Sequence, residues 1–130
     1  MRLIASTIAL TACFLAGGAL AADGWTPYTQ QAFEEAQAAG KTIVVDVHAD
    51  WCPVCAKQAP ILAEIIQSPE LEEAAAIQVD FDADKDFLRQ HNVTMQSTVL
   101  VLKDGAETAR TTGETDPAKL RQSILDGVQG

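Results

Sequence analysis

The segment at residues 51–55, Trp-Cys-Pro-Val-Cys, lies between an apolar run at 43–47 and a stretch with helical patterning. Such a run is typical of a buried strand, so the two cysteines are predicted to stand at a strand-to-helix junction. A helix N-terminus carries partial positive charge and free backbone N–H groups, and both stabilise a thiolate. Cys52 is therefore predicted to be a nucleophile, and Cys55, one helical turn later, can close or resolve a disulfide.

The beginning of the chain has the pattern of a secretory signal peptide. After Arg2, residues 3–20 are uncharged and almost wholly apolar or small, and Ala-Leu-Ala at 19–21 fits the small-x-small pattern before a cleavage site. We therefore expect residues 1–21 to be a signal peptide. Residues 22–130 would then be a single domain of an exported, periplasmic protein.

Two alternatives remain open for this segment. A transmembrane anchor would span poorly, because the run is short and rich in Ala and Gly. A lipoprotein anchored at Cys13 has suitable residues before the cysteine, but the apolar run continues well past it.

After cleavage at 21, the chain would keep only Cys52 and Cys55. A disulfide with two intervening residues stabilises a fold little, so the spacing favours exchange chemistry over a structural role.

The charge balance narrows the classes of partner. The chain has 9 basic and 18 acidic residues and a net charge of −9. Such an acidic surface argues against nucleic acid or an anionic membrane as the binding partner.

Apolar periodicity and turn residues predict the order β, α, β, α, β, α, β, β, α without repeats. Strands are predicted at 25–28, 42–48, 76–81, 98–103 and 107–111, and helices at 29–39, 53–67, 84–91 and 117–128, with one or two helical turns at 69–75. Strands that alternate with helices, followed by a closing hairpin and helix, predict an α/β three-layer sandwich. A central mixed β-sheet would be flanked by helices on both faces.

At this point the chain resembles the thioredoxin superfamily over nearly all of its mature part. Residues 45–55 look like the family's strand–Ala–acid–Trp–Cys-x-x-Cys signature, and Pro60 stands where the family has a helix-kinking proline. Residues 98–105 match the strand and turn that close the site, and Gly113 matches a glycine that lets substrate backbone approach. The resemblance implies a thioredoxin-like fold and a thiol–disulfide oxidoreductase.

Within the family, residues 46–52 look closest to exported thiol-reductase domains that receive electrons from a membrane thiol transporter. The leading hypothesis is therefore a monomeric reductase of protein disulfides that works through a mixed disulfide. It needs no organic cofactor or metal, since a Cys52–Cys55 disulfide carries the electrons. Three alternatives remain: an oxidase or isomerase, a metal-binding or metal-delivery module using Cys52, Cys55 and optionally His48, and a domain that only docks a partner.

The resemblance also assigns roles next to the cysteines. Asp46 lies in a predicted buried strand, where the family has a carboxylate that accepts the proton of the resolving thiol. Pro53 and Val54 set the redox poise, and neither side chain can donate to the Cys52 sulfur, which favours a reductase. His48 replaces an aromatic residue, and it can tune the thiolate, bind metal or simply fill the aromatic slot.

A third group of residues is expected to bind the client, meaning the protein whose disulfide is reduced. These residues are Trp51, Gln96, Ser97, Thr98 and Gly113. The family places a cis-proline where this chain has Ser97, and a cis peptide before a non-proline residue costs about 3 kcal/mol. The peptide is thus either strained and cis, or trans with a differently shaped loop, and the hydroxyl could polarise the sulfur. Cys52 is expected at the exposed mouth of its helix, with Cys55 more buried.

Overall fold

A computed structural model describes residues 23–130, so the predicted signal peptide and the alternative anchor at Cys13 lie outside the described residues. The strands are β1 Thr26–Pro27, β2 Ile43–His48, β3 Ala75–Asp80, β4 Thr98–Lys103 and β5 Ala106–Thr112. The helices are α1 Gln30–Ala38, α2 Pro53–Ile66, α3 Lys85–Gln90 and α4 Pro117–Gln129, with a short 3-10 helix at Pro69–Leu71. The predicted order of elements is confirmed.

The five strands form one mixed sheet in the order β1-β3-β2-β4-β5. β2 is parallel to β3 and antiparallel to β4. The two central strands β2 and β4 are buried along nearly their whole length, as their continuous apolar runs predict for strands covered on both faces. The register of β2 on β3 places Asp46 directly beside Gln78.

Helices cover both faces of the sheet and enclose two apolar cores. On one face, Phe33 of α1 and Phe87 of α3 pack against Val45 of β2. On the other face, α2 and α4 contribute Leu62 and Leu120 among other side chains. This arrangement confirms the three-layer sandwich. Because successive strand residues point to opposite faces, Val44 and Asp46 of β2 are directed to the side of α2 and α4.

Side chains cap the first turns of three helices. Thr29 Oγ1 accepts a 3.0 Å hydrogen bond from the Ala32 amide at the start of α1, and Asp116 Oδ1 accepts one of 3.0 Å from the Lys119 amide at the start of α4. At α2 the capping group is the sulfur of Cys52 itself. The cap of this helix and the predicted nucleophile are therefore the same side chain.

Close packing holds α4 against the outer part of the sheet. A Cβ added at Gly127 would lie 2.7 Å from Ala109 Cβ and 2.8 Å from Val101 Cβ, so a larger residue would push the helix off the sheet. No helix within residues 23–130 is long and apolar enough to cross a membrane.

Candidate active site

The two cysteines lie at the first turn of α2, where the helix follows directly from the end of β2. The Cys52 amide donates a 3.1 Å hydrogen bond to the Ala49 carbonyl, and this turn aims the Cys52 sulfur at the helix N-terminus. Cys52 Sγ accepts the N–H of Cys55 at 3.1 Å. Both cysteines are present as free thiols. The geometry gives Cys52 the hydrogen bond and the helix dipole that favour a thiolate.

The expectation that Cys52 lies at an exposed mouth of the helix is wrong. Only 2% of Cys52 and 1% of Cys55 is exposed. Both thiols belong to a small apolar cluster with Ala49, and the partly buried side chains of Val54 and Phe81 pack against it. These neighbours cover the nucleophile as fully as the resolving cysteine.

The two thiols nevertheless have different chemical surroundings. Burial raises the pKa of the Cys55 thiol to about 11, and its hydrogen bond with Cys52 and the nearby charge of Asp46 act in the same direction. Cys55 therefore stays protonated at neutral pH and needs a proton acceptor before it can attack. This asymmetry agrees with the predicted roles, Cys52 as the attacking and Cys55 as the resolving cysteine.

Asp46 is buried, as predicted, with 3% of the residue exposed. Its Oδ2 accepts a 3.0 Å hydrogen bond from Gln78 Nε2, while its Oδ1 has no partner among residues 23–130. Burial raises the pKa of the Asp46 carboxyl, and the Gln78 hydrogen bond and the charge of His48 offset part of the rise. A buried carboxylate with a free oxygen and a raised pKa is suited to accept a proton.

His48 and the two residues between the cysteines differ in their contacts. His48 is half-buried, and its Nε2 lies 3.3 Å from Asp50 Oδ1. Pro53 is exposed at the first position of α2, and Val54 packs against the thiols. Within the described part of the chain, no three Cys, His, Asp or Glu side chains are arranged to hold a metal ion. His48 does not complete a metal site with the cysteines there.

Ser97 takes the trans alternative. Residues 23–130 contain no cis peptide, and Ser97 has φ +59°, a left-handed conformation unusual for a residue other than glycine. Its amide donates a 2.8 Å hydrogen bond to the Val47 carbonyl. Its hydroxyl donates to the Gln96 carbonyl, so the suggestion that this hydroxyl polarises the sulfur is wrong. The hydroxyl proton of Ser97, which would have to point at the sulfur, points at the Gln96 carbonyl instead.

The predicted client-binding residues Ser97, Thr98 and Gly113 lie close together, but Ser97 and Thr98 are buried, with 4% and 2% exposed, and only Gly113 lies at the surface. Gly113 donates a 2.9 Å hydrogen bond from its amide to the Ser97 carbonyl. Thr98 Oγ1 donates to the Met95 carbonyl at 2.7 Å and lies 3.0 Å from Thr112 Oγ1. Gly113 has φ +72°, and an added Cβ would meet nothing within 4 Å, so its outer side is open to an approaching chain.

Trp51, which precedes Cys52 in the chain, is a large exposed apolar side chain. It is 58% exposed, and its Nε1 donates a 2.6 Å hydrogen bond to Asp82 Oδ2 in the loop after β3. Met95, 51% exposed, is a second large apolar side chain that the described residues leave uncovered. Exposed Trp and Met side chains are typical of surfaces that bind other proteins.

Comparison with known proteins decides the family. A family profile described as Thioredoxin matches residues 25–126 of this chain. The chain belongs to the thioredoxin family. It is 32% identical to Thioredoxin-1 of Saccharomyces cerevisiae over 96 residues, which cover 74% of this chain and 90% of the yeast protein. It is 34% identical to thioredoxin of Mycolicibacterium smegmatis over 89 residues, which cover 68% and 80% of the two chains.

The fold agrees with solved structures of relatives. Trxlp from Edwardsiella tarda is 40% identical to this chain and superimposes with a TM-score of 0.73. The match covers 75% of this chain and 95% of Trxlp. Thioredoxin from Fasciola hepatica is 32% identical to this chain and has a TM-score of 0.62. That match covers 71% of this chain and 88% of the Fasciola protein. With Cys52 and Cys55 at the start of α2, this thioredoxin-family chain is a thiol–disulfide oxidoreductase, and its relatives assign it protein-disulfide reductase activity.

Two polar residues of this thioredoxin-family site were not predicted from the sequence. Gln78 bonds to Asp46, and Gln58 is fully buried in α2 and bonds to the carbonyls of Ser97 and Glu114. The signal for Gln58 is a polar residue in the apolar stripe that contains Cys55 and Leu62. Gln78 carries a weaker signal, because its partner depends on the register between two strands far apart in sequence.

Proposed function

We propose that this thioredoxin-family reductase works in the bacterial periplasm and reduces protein disulfides through a mixed-disulfide cycle. The observation that carries the mechanism is the unequal environment of the two thiols. Cys52 Sγ accepts a helix N–H, while burial holds the Cys55 pKa at about 11 beside a carboxylate with a free oxygen. Such a pair can attack in a fixed order.

The proposed steps balance in atoms and electrons. The Cys52 thiolate attacks one sulfur of the client disulfide, forms a mixed disulfide, and releases the other client sulfur as a thiolate that takes a proton. Asp46 then accepts the Cys55 proton, and the Cys55 thiolate attacks Cys52 Sγ. The second client sulfur leaves, and a Cys52–Cys55 disulfide remains. Two electrons have passed from the enzyme to the client.

The proposed reductase activity requires a compartment with disulfide substrates and a donor of electrons. The signal-peptide pattern of residues 1–21 supports export to an oxidising compartment, where a reductase must be re-reduced. A membrane-embedded thiol transporter is the proposed electron donor. No organic cofactor is required, since the cysteine pair carries both electrons, and the protein is expected to act as a monomer.

His48 is proposed to tune this chemistry through Asp46. The two residues lie on the same face of β2, and the charge of His48 acts to lower the pKa of the Asp46 carboxyl. His48→Phe keeps an aromatic ring of similar size without the charge. We expect its reduction of a protein disulfide to require a higher pH, and an unchanged pH profile would leave His48 with a packing role only.

Trapping of clients tests the mixed-disulfide mechanism. Cys55→Ser should accumulate disulfide-linked complexes in periplasmic extracts, because the resolving thiol is missing. The double variant Cys52→Ser, Cys55→Ser is the matched control and should trap none. If Cys55→Ser accumulates no complex through Cys52, the mechanism is wrong, and recovery of the wild-type protein in the cytoplasm alone would contradict the proposed compartment.

The redox potential distinguishes a reductase from an oxidase on the same fold. Equilibration of the Cys52–Cys55 pair with glutathione or dithiothreitol buffers measures it directly. We expect a value near that of thioredoxin, about −270 mV, whereas a value near about −120 mV would indicate a disulfide oxidase.

A further inference from the structure

Gln58 is a fully buried amide inside an apolar helix face. It lies in α2, one turn after Cys55, in a stripe that continues with Leu62 and Ile65. The residue is 0% exposed. Burial of an amide is unfavourable unless its polar atoms find partners, so its contacts show what holds it there.

The Gln58 side chain bridges two loops. Its Nε2 donates to the Ser97 carbonyl at 3.3 Å and to the Glu114 carbonyl at 2.9 Å. Because both partners are carbonyls that only accept, the amide can present only its NH₂ group to them. Its Oε1 is buried and has no partner among residues 23–130, so the amide is not optimised for stability.

The two bridged loops are those expected to bind the client. Ser97 precedes β4, Glu114 follows Gly113 after β5, and the Gly113 amide already donates to the Ser97 carbonyl. The φ of +59° at Ser97 is unfavourable for a residue with a side chain. It persists only where surrounding contacts hold it, and Gln58 supplies one such contact from the helix of the cysteines.

We propose that Gln58 is a positioning residue that fixes the client-binding loops relative to the redox cysteines. A proline would fix its own φ through its ring, and Ser97 has no such restraint. Here a side chain of α2 provides the restraint from outside the loop. This inference rests on the proposed reduction of protein disulfides, since it concerns how a client chain is held during that reaction.

The proposed role of Gln58 predicts different effects on the reduction of protein disulfides and of small disulfides. A client chain that lies along residues 96–98 and Gly113 requires the loop backbone in one fixed arrangement. A small aromatic disulfide reacts at the cysteines without pairing with that backbone. Loss of the Gln58 amide should therefore impair reduction of a protein and spare reduction of a small molecule.

Gln58→Met tests the proposal, because methionine has a similar volume and shape but no N–H group. Insulin serves as the protein disulfide, with dithiothreitol as electron donor, and 5,5′-dithiobis(2-nitrobenzoate) as the small disulfide. We expect the KM for insulin to rise about five- to fiftyfold, which corresponds to two lost hydrogen bonds. The rate with the small disulfide should stay within about twofold. Amide hydrogen exchange at Ser97 and Gly113 should become faster.

Gln67→Met is the matched control. Gln67 is an exposed residue at the far end of α2, so the same substitution there should change neither reaction. An unchanged insulin KM in Gln58→Met would overturn the inference. So would parallel losses with both substrates and a lower melting temperature, which would show a merely structural role. If wild-type protein does not reduce insulin faster than dithiothreitol alone, the proposed function itself fails.

Discussion

Gln78 and Asp46 lie side by side on β3 and β2, and Gln78 Nε2 donates a 3.0 Å hydrogen bond to the buried Asp46 Oδ2. The other carboxylate oxygen is buried without a partner among residues 23–130. A neutral amide compensates a buried charge only in part, so Asp46 is held in a state that disfavours ionisation. This partial compensation suits a group that must take up and release a proton.

Asp46→Asn should stabilise the protein and slow its chemistry. The variant keeps the shape of the side chain and can still accept from Gln78, but it removes a buried ionisable group. Resolution of the mixed disulfide at pH 7 should slow about a hundredfold, since the proton acceptor for Cys55 is lost. Single-turnover reduction of insulin measures the rate, and unfolding in urea measures the stability.

The pH dependence of that stability difference has a definite sign. Burial raises the pKa of Asp46 in the folded protein, so folded protein holds the proton more tightly than unfolded protein. The contribution of Asp46 to the free energy of unfolding is fully present below the unfolded pKa, near 3.8, and is lost as pH rises through the higher folded pKa. The advantage of Asp46→Asn should therefore grow from pH 4 to pH 8. An advantage that shrinks over this range would contradict the raised pKa.

Gln78→Leu should move the pH dependence of reduction upward. The Gln78 hydrogen bond lowers the pKa of Asp46, so its loss lets burial raise that pKa further. The rate of mixed-disulfide resolution, followed against pH, should reach its half-maximum at a higher pH. Stability at pH 8 should fall by about 1–3 kcal/mol, because a buried carboxylate loses its donor. In an Asp46→Asn background the same substitution should leave the pH midpoint unchanged.

Ser97→Pro should destabilise this chain, although the thioredoxin superfamily places a proline at the position that Ser97 resembles. Ser97 has φ +59°, whereas proline requires about −65°, and the Ser97 amide donates to the Val47 carbonyl at 2.8 Å. We expect a loss of about 2–4 kcal/mol in the free energy of unfolding, measured in urea. Ser97→Gly keeps the amide and accepts the positive φ, so it should change stability by less than about 1 kcal/mol. Equal stabilities of the two variants would show that the loop adopts another shape.

Much of the fold could be predicted because local signals and the global architecture agree. The apolar run at Ile43–His48 was long enough to identify a central strand, and apolar periodicity and turn residues marked the helices and the closing hairpin. These signals arise from side chains within a few residues of one another.

The site was predictable only where its contacts are local. The Cys52–Cys55 spacing and the buried position of Asp46 follow from one strand and one helix turn. The burial of Cys52 depends on Phe81, which is far away in sequence. The bonds of Gln58 to Ser97 and Glu114 depend likewise on tertiary packing, which neither periodicity nor spacing encodes.

Asp82→Ala should weaken client binding without unfolding the protein. Asp82 Oδ2 accepts the 2.6 Å hydrogen bond from Trp51 Nε1 and so fixes the orientation of an indole that is 58% exposed beside the cysteines. Because this contact is at the surface, stability should change by less than about 1 kcal/mol, while the KM for insulin should rise about threefold or more as Trp51 loses its orientation. Trp51 fluorescence, measured in a Trp25→Phe background, should change with the freed indole. Asp86→Ala removes the same charge without touching Trp51, and an equal rise in KM there would assign the effect to charge rather than to the indole.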